Sequence, residues 1–252
     1  MLTVQNVYDF INSIAPFETQ DSFDNAGLLV GSPDWEVRGI HVAMDVTSTV
    51  LDEAIAAGVN LLVTHHPVMF SARKRLVETD SEAILLCRMI RHNIALIAAH
   101  TNLDQAPGGI NDVLAQTIGL ADIFGEGHVR TGHLPAPMTA QDFADQIGQA
   151  LHTVVRVMGR PEQEITRVAV TSGVGSDYWE EARALGAQAF VTGEAKHHHA
   201  LAAVEAGMVV LEAGHHETEE PGIFALADAL QNHLNALQYR VHVSKSRAQA
   251  YR

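Results

Sequence analysis

A single cysteine, Cys87, stands in a chain of 252 residues. No intrachain disulfide can form, and a cysteine-based zinc or iron–sulfur site within one chain is excluded. Any metal site must therefore draw on His, Asp and Glu. Long apolar runs are missing too, since no segment approaches the ~20 consecutive apolar residues of a membrane-spanning helix. The opening MLTVQNVYDFINSIAP reads as an amphipathic helix without the basic start and unbroken apolar stretch of a signal peptide. Together these absences place the expected location in the cytoplasm, with no membrane association. Positive charge is scarce as well. Lys and Arg number 16 against 30 Asp and Glu, a formal net charge of −14, which repels phosphate backbones and disfavours direct nucleic-acid binding. A local cluster, Arg73, Lys74 and Arg75, runs against that trend.

Apolar residues at 47% and charged residues at 18% give the balance of a globular protein, long enough for two ordinary domains or one large one without a covalent staple. Short β-branched runs alternate with helix-period runs, the signature of βα units. Strands are expected at 39–46, 60–64, 94–99, 167–171, 189–192 and 208–212. Helices are expected at 50–57, 81–92, 140–151, 177–185 and 198–205. Between the halves, Gly132, Pro135 and Pro137 read as a turn before the helix at 140–151.

The pattern repeats. AGVNLLVTHH at 57–66 lies over LGAQAFVTGE at 185–194 with a constant offset of 128 (193 − 65). His100 and Asp104 match His215 and Glu219 at an offset of 115 (215 − 100). This ordered pair of matches indicates a tandem duplication of one α/β unit, with an extra loop around Met69–Thr79 in the first copy. The expected fold is α/β, two similar units packed together with a metal site at the carboxyl ends of their strands. The expected division is 1–125 and 126–252.

Fifteen histidines is a high count, and position decides which of them matter. His65 and His66 close one apolar strand, where α/β sheets place functional groups. His100 and Asp104 follow a second strand. His215 and Glu219 follow a third, and a helix starting near His215 would put this i, i+4 pair on one face. Three strand ends thus supply three or four imidazoles and two carboxylates, a mixed set that suits Zn²⁺, Fe²⁺ or Mn²⁺ and exceeds the needs of one tetrahedral ion. Two divalent ions, bridged by Glu219 or Asp104, are the natural inference. Glu194, the repeat-mate of His66, is either a general base or a partner that orients a ligating histidine. The run His197-His198-His199 is a weaker signal, because consecutive helical residues point in different directions.

Five motifs, FDNAGLLVG (23–31), LLVTHHP (61–67), AHTNLD (99–104), VTGEAKHHHAL (191–201) and AGHHETE (213–219), span nearly the whole chain in order. They resemble the Nif-three-like family, whose bacterial members are often labelled GTP cyclohydrolase 1 type 2 homologues. The resemblance implies a duplicated α/β fold, a dinuclear metal centre and assembly into a ring-shaped hexamer. It assigns the ligands as His65, His66, Asp104, His215 and Glu219, with His100 a nearby pocket residue. The chain departs from the family pattern at VTSGVG (170–175), where relatives tend to carry a glycine pair. Two functions follow as expectations. The first is a metal-dependent hydrolase of a nucleotide or related small molecule, with Glu194 or His100 moving protons. The second is a non-catalytic metal-dependent binding or metal-handling protein acting as a ring-shaped scaffold. No Gly-rich triphosphate cradle is present to choose the substrate.

Overall fold

In a computed structural model that describes residues 1–248, the chain divides into two compact α/β units. The first comprises Met1–Ala106 together with the chain from Ile223 on, and the second comprises Pro107–Gly222.

The first unit begins with α1 (Val4–Ile14), whose N-terminus is closed by a capping box between Thr3 and Asn6. It continues through β1 (Gly27–Val30), β2 (Ile40–Ala43), α2 (Ser48–Ala56), β3 (Leu61–Thr64), α3 (Ser81–Arg91), β4 (Ala95–Ala98) and α4 (Thr101–Gln105). Thr47 and Asp80 cap α2 and α3 by accepting from the backbone N–H groups of Val50 and Ala83. The second unit runs through α5 (Ile110–Thr117), β5 (Ala121–Phe124), β6 (Arg130–Thr139), α6 (Ala140–Leu151), β7 (Arg156–Met158), β8 (Glu164–Thr171), α7 (Trp179–Ala184), β9 (Ala189–Thr192), α8 (His197–Glu205) and β10 (Val209–Glu212). Next comes α9 (His215–Ala236), and β11 (Val243–Lys245) ends the described elements.

The first sheet has the order β1-β4-β3-β2-β11. β4, β3, β2 and β11 are mutually parallel, and β1 is antiparallel at the edge. The second sheet has the order β5-β6-β8-β9-β10-β7, with β8, β9 and β10 parallel. Strands β2, β3, β4, β9 and most of β8 and β10 are buried, which matches their near-continuous apolar runs and the coverage that parallel sheets require. The parallel triplets β2-β3-β4 and β8-β9-β10 correspond to the two copies of the sequence repeat.

The observed units differ from the expected contiguous halves divided at 125 in two places. Leu114, Ala115, Ile118 and Leu120 belong to the core of Phe143, Ile147, Val168 and Val170, so the chain from 107 is committed to the second unit. At the other end, β11 pairs in parallel with β2, Val243 opposite Ile40, returning the C-terminal segment to the first unit. The segment read as a Gly/Pro turn is a strand, β6. Its pairing with β8 is regular on both sides but shifts between His133 and Met138. Pro135 and Pro137 lie in that interruption, where their lack of N–H groups costs no ladder bond. Among the described residues no helix is long and apolar enough to cross a membrane.

Phe143 is fully buried in the core of the second unit. Phe143→Ala is expected to lower stability by about 3–5 kcal/mol through lost burial and the cavity left behind. Urea unfolding measures it, and a loss below about 1 kcal/mol would mean that α6 does not anchor this core.

Candidate metal centre

The carboxyl ends of the parallel strands place the chemistry of the first unit. Past the end of β3, the His65 and His66 N–H groups donate to the carbonyls of Ala43 and Met44, so the backbone stays stitched to the segment leaving β2 while both side chains emerge. Ala99 N donates to the Thr64 carbonyl and closes the neighbouring strand end. There His100 caps α4 in a non-helical conformation, and Asp104 N donates back to the His100 carbonyl. The side-chain ligand atoms of His65, His66 and His100 lie within 4.8 Å of one another.

Each of these rings is held from behind. His65 Nδ1 is 2.9 Å from the Ala99 carbonyl oxygen, which can only accept, so the proton is on Nδ1. His66 Nδ1 is 2.8 Å from Asp45 Oδ1, and His100 Nδ1 is 2.8 Å from Asp24 Oδ1. Asp24 also accepts from the backbone and hydroxyl of Thr101. Burial alone would push Asp24 up, but the hydrogen bonds from His100 and Thr101 outweigh it and hold the carboxyl well below the usual carboxylate range. Asp24 is therefore an ionised acceptor. Burial in turn lowers the His100 pKa, and nearby His65 and His66 add to this against the opposing pull of Asp24. His100 is a neutral imidazole at neutral pH, the form that can accept a proton or bind a metal.

With the proton on Nδ1, the lone pair is on Nε2. His65 Nε2 is 3.5 Å from Asp104 Oδ1, longer than a good hydrogen bond. Two ligand atoms each ~2.1 Å from one ion lie ~3.0–3.4 Å apart, so this spacing fits a shared cation. His65 is fully buried and Asp104 nearly so.

The second unit is built the same way. After β9, Glu194 N donates to the Gly173 carbonyl, and Gly214 N donates to that of Gly193. Gly214, at φ +91°, makes the turn that lets α9 begin at His215. His215 Nδ1 is 2.7 Å from Glu194 Oε1, and His215 Nε2 is 3.3 Å from Glu219 Oε2. The i, i+4 expectation is met, and its spacing again suits a cation. Gly173, at φ +55°, closes the cradle, because a Cβ there would come within 2.4 Å of Glu219 Oε1. In VTSGVG, this one glycine thus supplies the close approach that Glu219 needs.

Some sequence-selected residues go elsewhere. His199 Nδ1 is 2.8 Å from Asp177, and His198 packs on His199. Among the described residues, no potential metal-holding group of three includes any member of the 197–199 run. Glu194, expected as a base or an orienting partner, lies on the Nδ1 side of His215. Sequence reasoning missed Asp45 and Asp24. The signals were present, since Asp24 lies inside the FDNAGLLVG motif and Asp45 follows β2 as His66 follows β3.

The likeness to known proteins extends over the same span as the fold. A family model described as Duf34/NIF3 (NGG1p interacting factor 3) matches residues 2–250. A GTP cyclohydrolase 1 type 2 homolog of Clostridium acetobutylicum is 30% identical over 247 residues, covering 94% of this chain and 92% of that protein. One from Streptomyces coelicolor is 32% identical over 265 residues, covering 98% and 92%. The crystal structure of a hypothetical protein from Staphylococcus aureus superposes with a TM-score of 0.94 at 30% identity, over 99% of this chain and 97% of that one. With the model spanning nearly every residue and relatives of matching length, the chain belongs to the Duf34/NIF3 family.

Proposed function

We propose that His65, His66, Asp104, His215 and Glu219 hold two divalent metal ions, Zn, Fe or Mn, and that the protein is a metal-dependent hydrolase of a nucleotide or related small molecule. The observation that carries this reading is the state of the imidazoles. Four histidines at strand ends have Nδ1 committed to an oxygen acceptor, Ala99, Asp45, Asp24 and Glu194 in turn. That arrangement fixes the tautomer and raises the basicity of Nε2, as the supporting partners of metal-ligating histidines do. A bound pair of divalent ions would supply Lewis acidity and lower the pKa of water. The substrate class follows the name carried by the relatives, GTP cyclohydrolase 1 type 2 homolog.

The chain's own residues have distinct tasks in this scheme. Glu219, at 3% exposure, would contribute the buried carboxylate charge that helps to hold both ions. His100, neutral and braced by Asp24, accepts a proton at Nε2 and passes it on. Glu194 has two roles open from the sequence, and its hydrogen bond to His215 favours the orienting one. With this reading go a cytoplasmic location and a homohexameric ring, the latter carried by the family resemblance. The rival function, a metal-dependent binding protein without turnover, shares the same ligands. It gains ground if the metal-replete protein turns over neither GTP nor simple phosphate esters while still binding a small molecule only when metal is present.

Elemental analysis of protein prepared with excess metal is expected to give about two divalent ions per chain; one or fewer would rule out the dinuclear arrangement. Glu219→Gln keeps the shape and removes the charge, so it should deplete both ions, whereas Glu217→Gln should leave occupancy nearly unchanged. Equal effects of these two substitutions in a metal-binding titration would remove Glu219 from the centre. Glu194→Gln should weaken metal affinity about 10–100-fold if the carboxylate orients His215. Full metal with a rate loss of about 10²–10⁴-fold would instead make Glu194 the proton carrier.

A further inference from the structure

The two sequence repeats differ most between their second strand and the helix that follows. Between β3 and α3 lie residues 65–80, while between β9 and α8 lie only residues 193–196. The longer loop carries Phe70 and the SARKR run at 71–75. Its base is tied to the segment that braces His100, since Asn25 Nδ2 donates to the Met69 carbonyl at 2.7 Å, next in sequence to Asp24. Phe70 then meets His100 edge to face, with ring centroids 5.6 Å apart, yet remains 53% exposed. A cavity of about 610 Å³ opens from Phe70 along the loop to Arg73, Lys74 and Arg75, with Glu82 on its wall.

The charges in this cavity are not equivalent. Arg73 is consumed by two carboxylates, Asp80 at 2.6 Å and Glu82 at 2.5 Å. Those pairs fix the loop, and the single guanidinium charge is shared between the two carboxylates. Lys74 and Arg75 are exposed, and among the described residues neither is in an ion pair. In a chain of net charge −14, two adjacent unneutralised cations beside a cavity lined by Phe70, whose ring contacts His100, form a local attractive focus for an anion that the rest of the surface repels. An arginine and a lysine together match phosphate oxygens, one as a planar fork and one as a point charge. An exposed aromatic face at the other end accepts a planar ring.

We propose that this loop is the substrate-holding arm of the site, with Lys74 and Arg75 taking the phosphate of a nucleotide whose planar ring lies against Phe70. The inference deepens the hydrolase reading and rests on it for the fate of the ligand, but binding is measurable without turnover. Two cations and one ring suit a single nucleotide better than a polynucleotide, whose affinity grows with the number of phosphates neutralised.

Calorimetric titration of the full-length, metal-loaded protein with inorganic pyrophosphate, GTP and an oligothymidylate provides the test, with metal content measured on every preparation. Lys74→Ala with Arg75→Ala should weaken both pyrophosphate and GTP by about tenfold or more at unchanged metal content. The charge-conserving pair Lys74→Arg with Arg75→Lys should retain most of the affinity. Phe70→Ala should weaken GTP and leave pyrophosphate unaffected. Unchanged affinities in the double alanine variant would overturn the proposal, as would absence of binding of either small anion to the wild type. Tighter binding of the oligothymidylate than of GTP through the same cations would overturn it in favour of a nucleic-acid partner. Loss of pyrophosphate binding in the double variant of a protein found to hold no metal would leave the anion site standing while the hydrolase reading falls.

Discussion

The metal centre proposed for this protein depends on where four protons sit. An imidazole hydrogen-bonded through Nδ1 to an obligate acceptor presents its lone pair at Nε2, and rotating the ring to reverse this would leave a buried donor without its acceptor. For His65 the acceptor is a backbone carbonyl, fixed by the β3–β4 pairing itself. For His66, His100 and His215 it is a carboxylate, from Asp45, Asp24 and Glu194. Charged acceptors also raise the basicity of the opposite nitrogen. The two kinds of acceptor thus set orientation through the sheet and donor strength through nearby acids.

The fold supplies these acceptors because of how parallel sheets end. Strands β2, β3 and β4 finish in register, with Ala43 beside Thr64 and Thr64 beside Ala98. The residues just beyond them, Asp45, His65, His66 and His100, are therefore neighbours although they lie far apart in sequence. The second unit repeats the device with β8, β9 and β10, Thr171 beside Thr192 and Thr192 beside Glu212. In each unit a helix then starts at the histidine or immediately after it and carries an acid one turn on, Asp104 on α4 and Glu219 on α9. Duplication of a strand-end arrangement gives each unit its own pairing of a histidine and an acid, and each of these side chains inherits a position fixed by sheet hydrogen bonds.

Much of this was legible in the sequence, for reasons that can be named. The buried parallel strands are continuous apolar runs, so β3, β4, β8 and β9 stand out. The helix expected at 140–151 is α6 at those limits. The helix expected near His215 begins at that residue. What was illegible depends on non-local pairing. The three residues of β11 carry no period of their own and become a strand only because β2 offers an open edge. Pro135 and Pro137 read as a turn because a proline inside a strand is disfavoured unless the ladder shifts there, and only the partner strand reveals the shift. Asp24 and Asp45 went unassigned although one lies in a motif and the other follows a strand end, because which histidine each acid supports is set by topology and not by spacing along the chain. Glu194 was found by repeat alignment, but its contact with His215 Nδ1 is visible only in three dimensions.

Anomalous diffraction at the absorption edge of the bound metal, on crystals of metal-loaded protein, tests the central claim most directly. Two peaks per chain, ~3.5–4 Å apart and each approached by imidazole Nε2 atoms, with His65, His66 and His215 keeping their Nδ1 hydrogen bonds, is the predicted result. Coordination through Nδ1, with those hydrogen bonds broken, or a single peak bound away from Glu219, would contradict it.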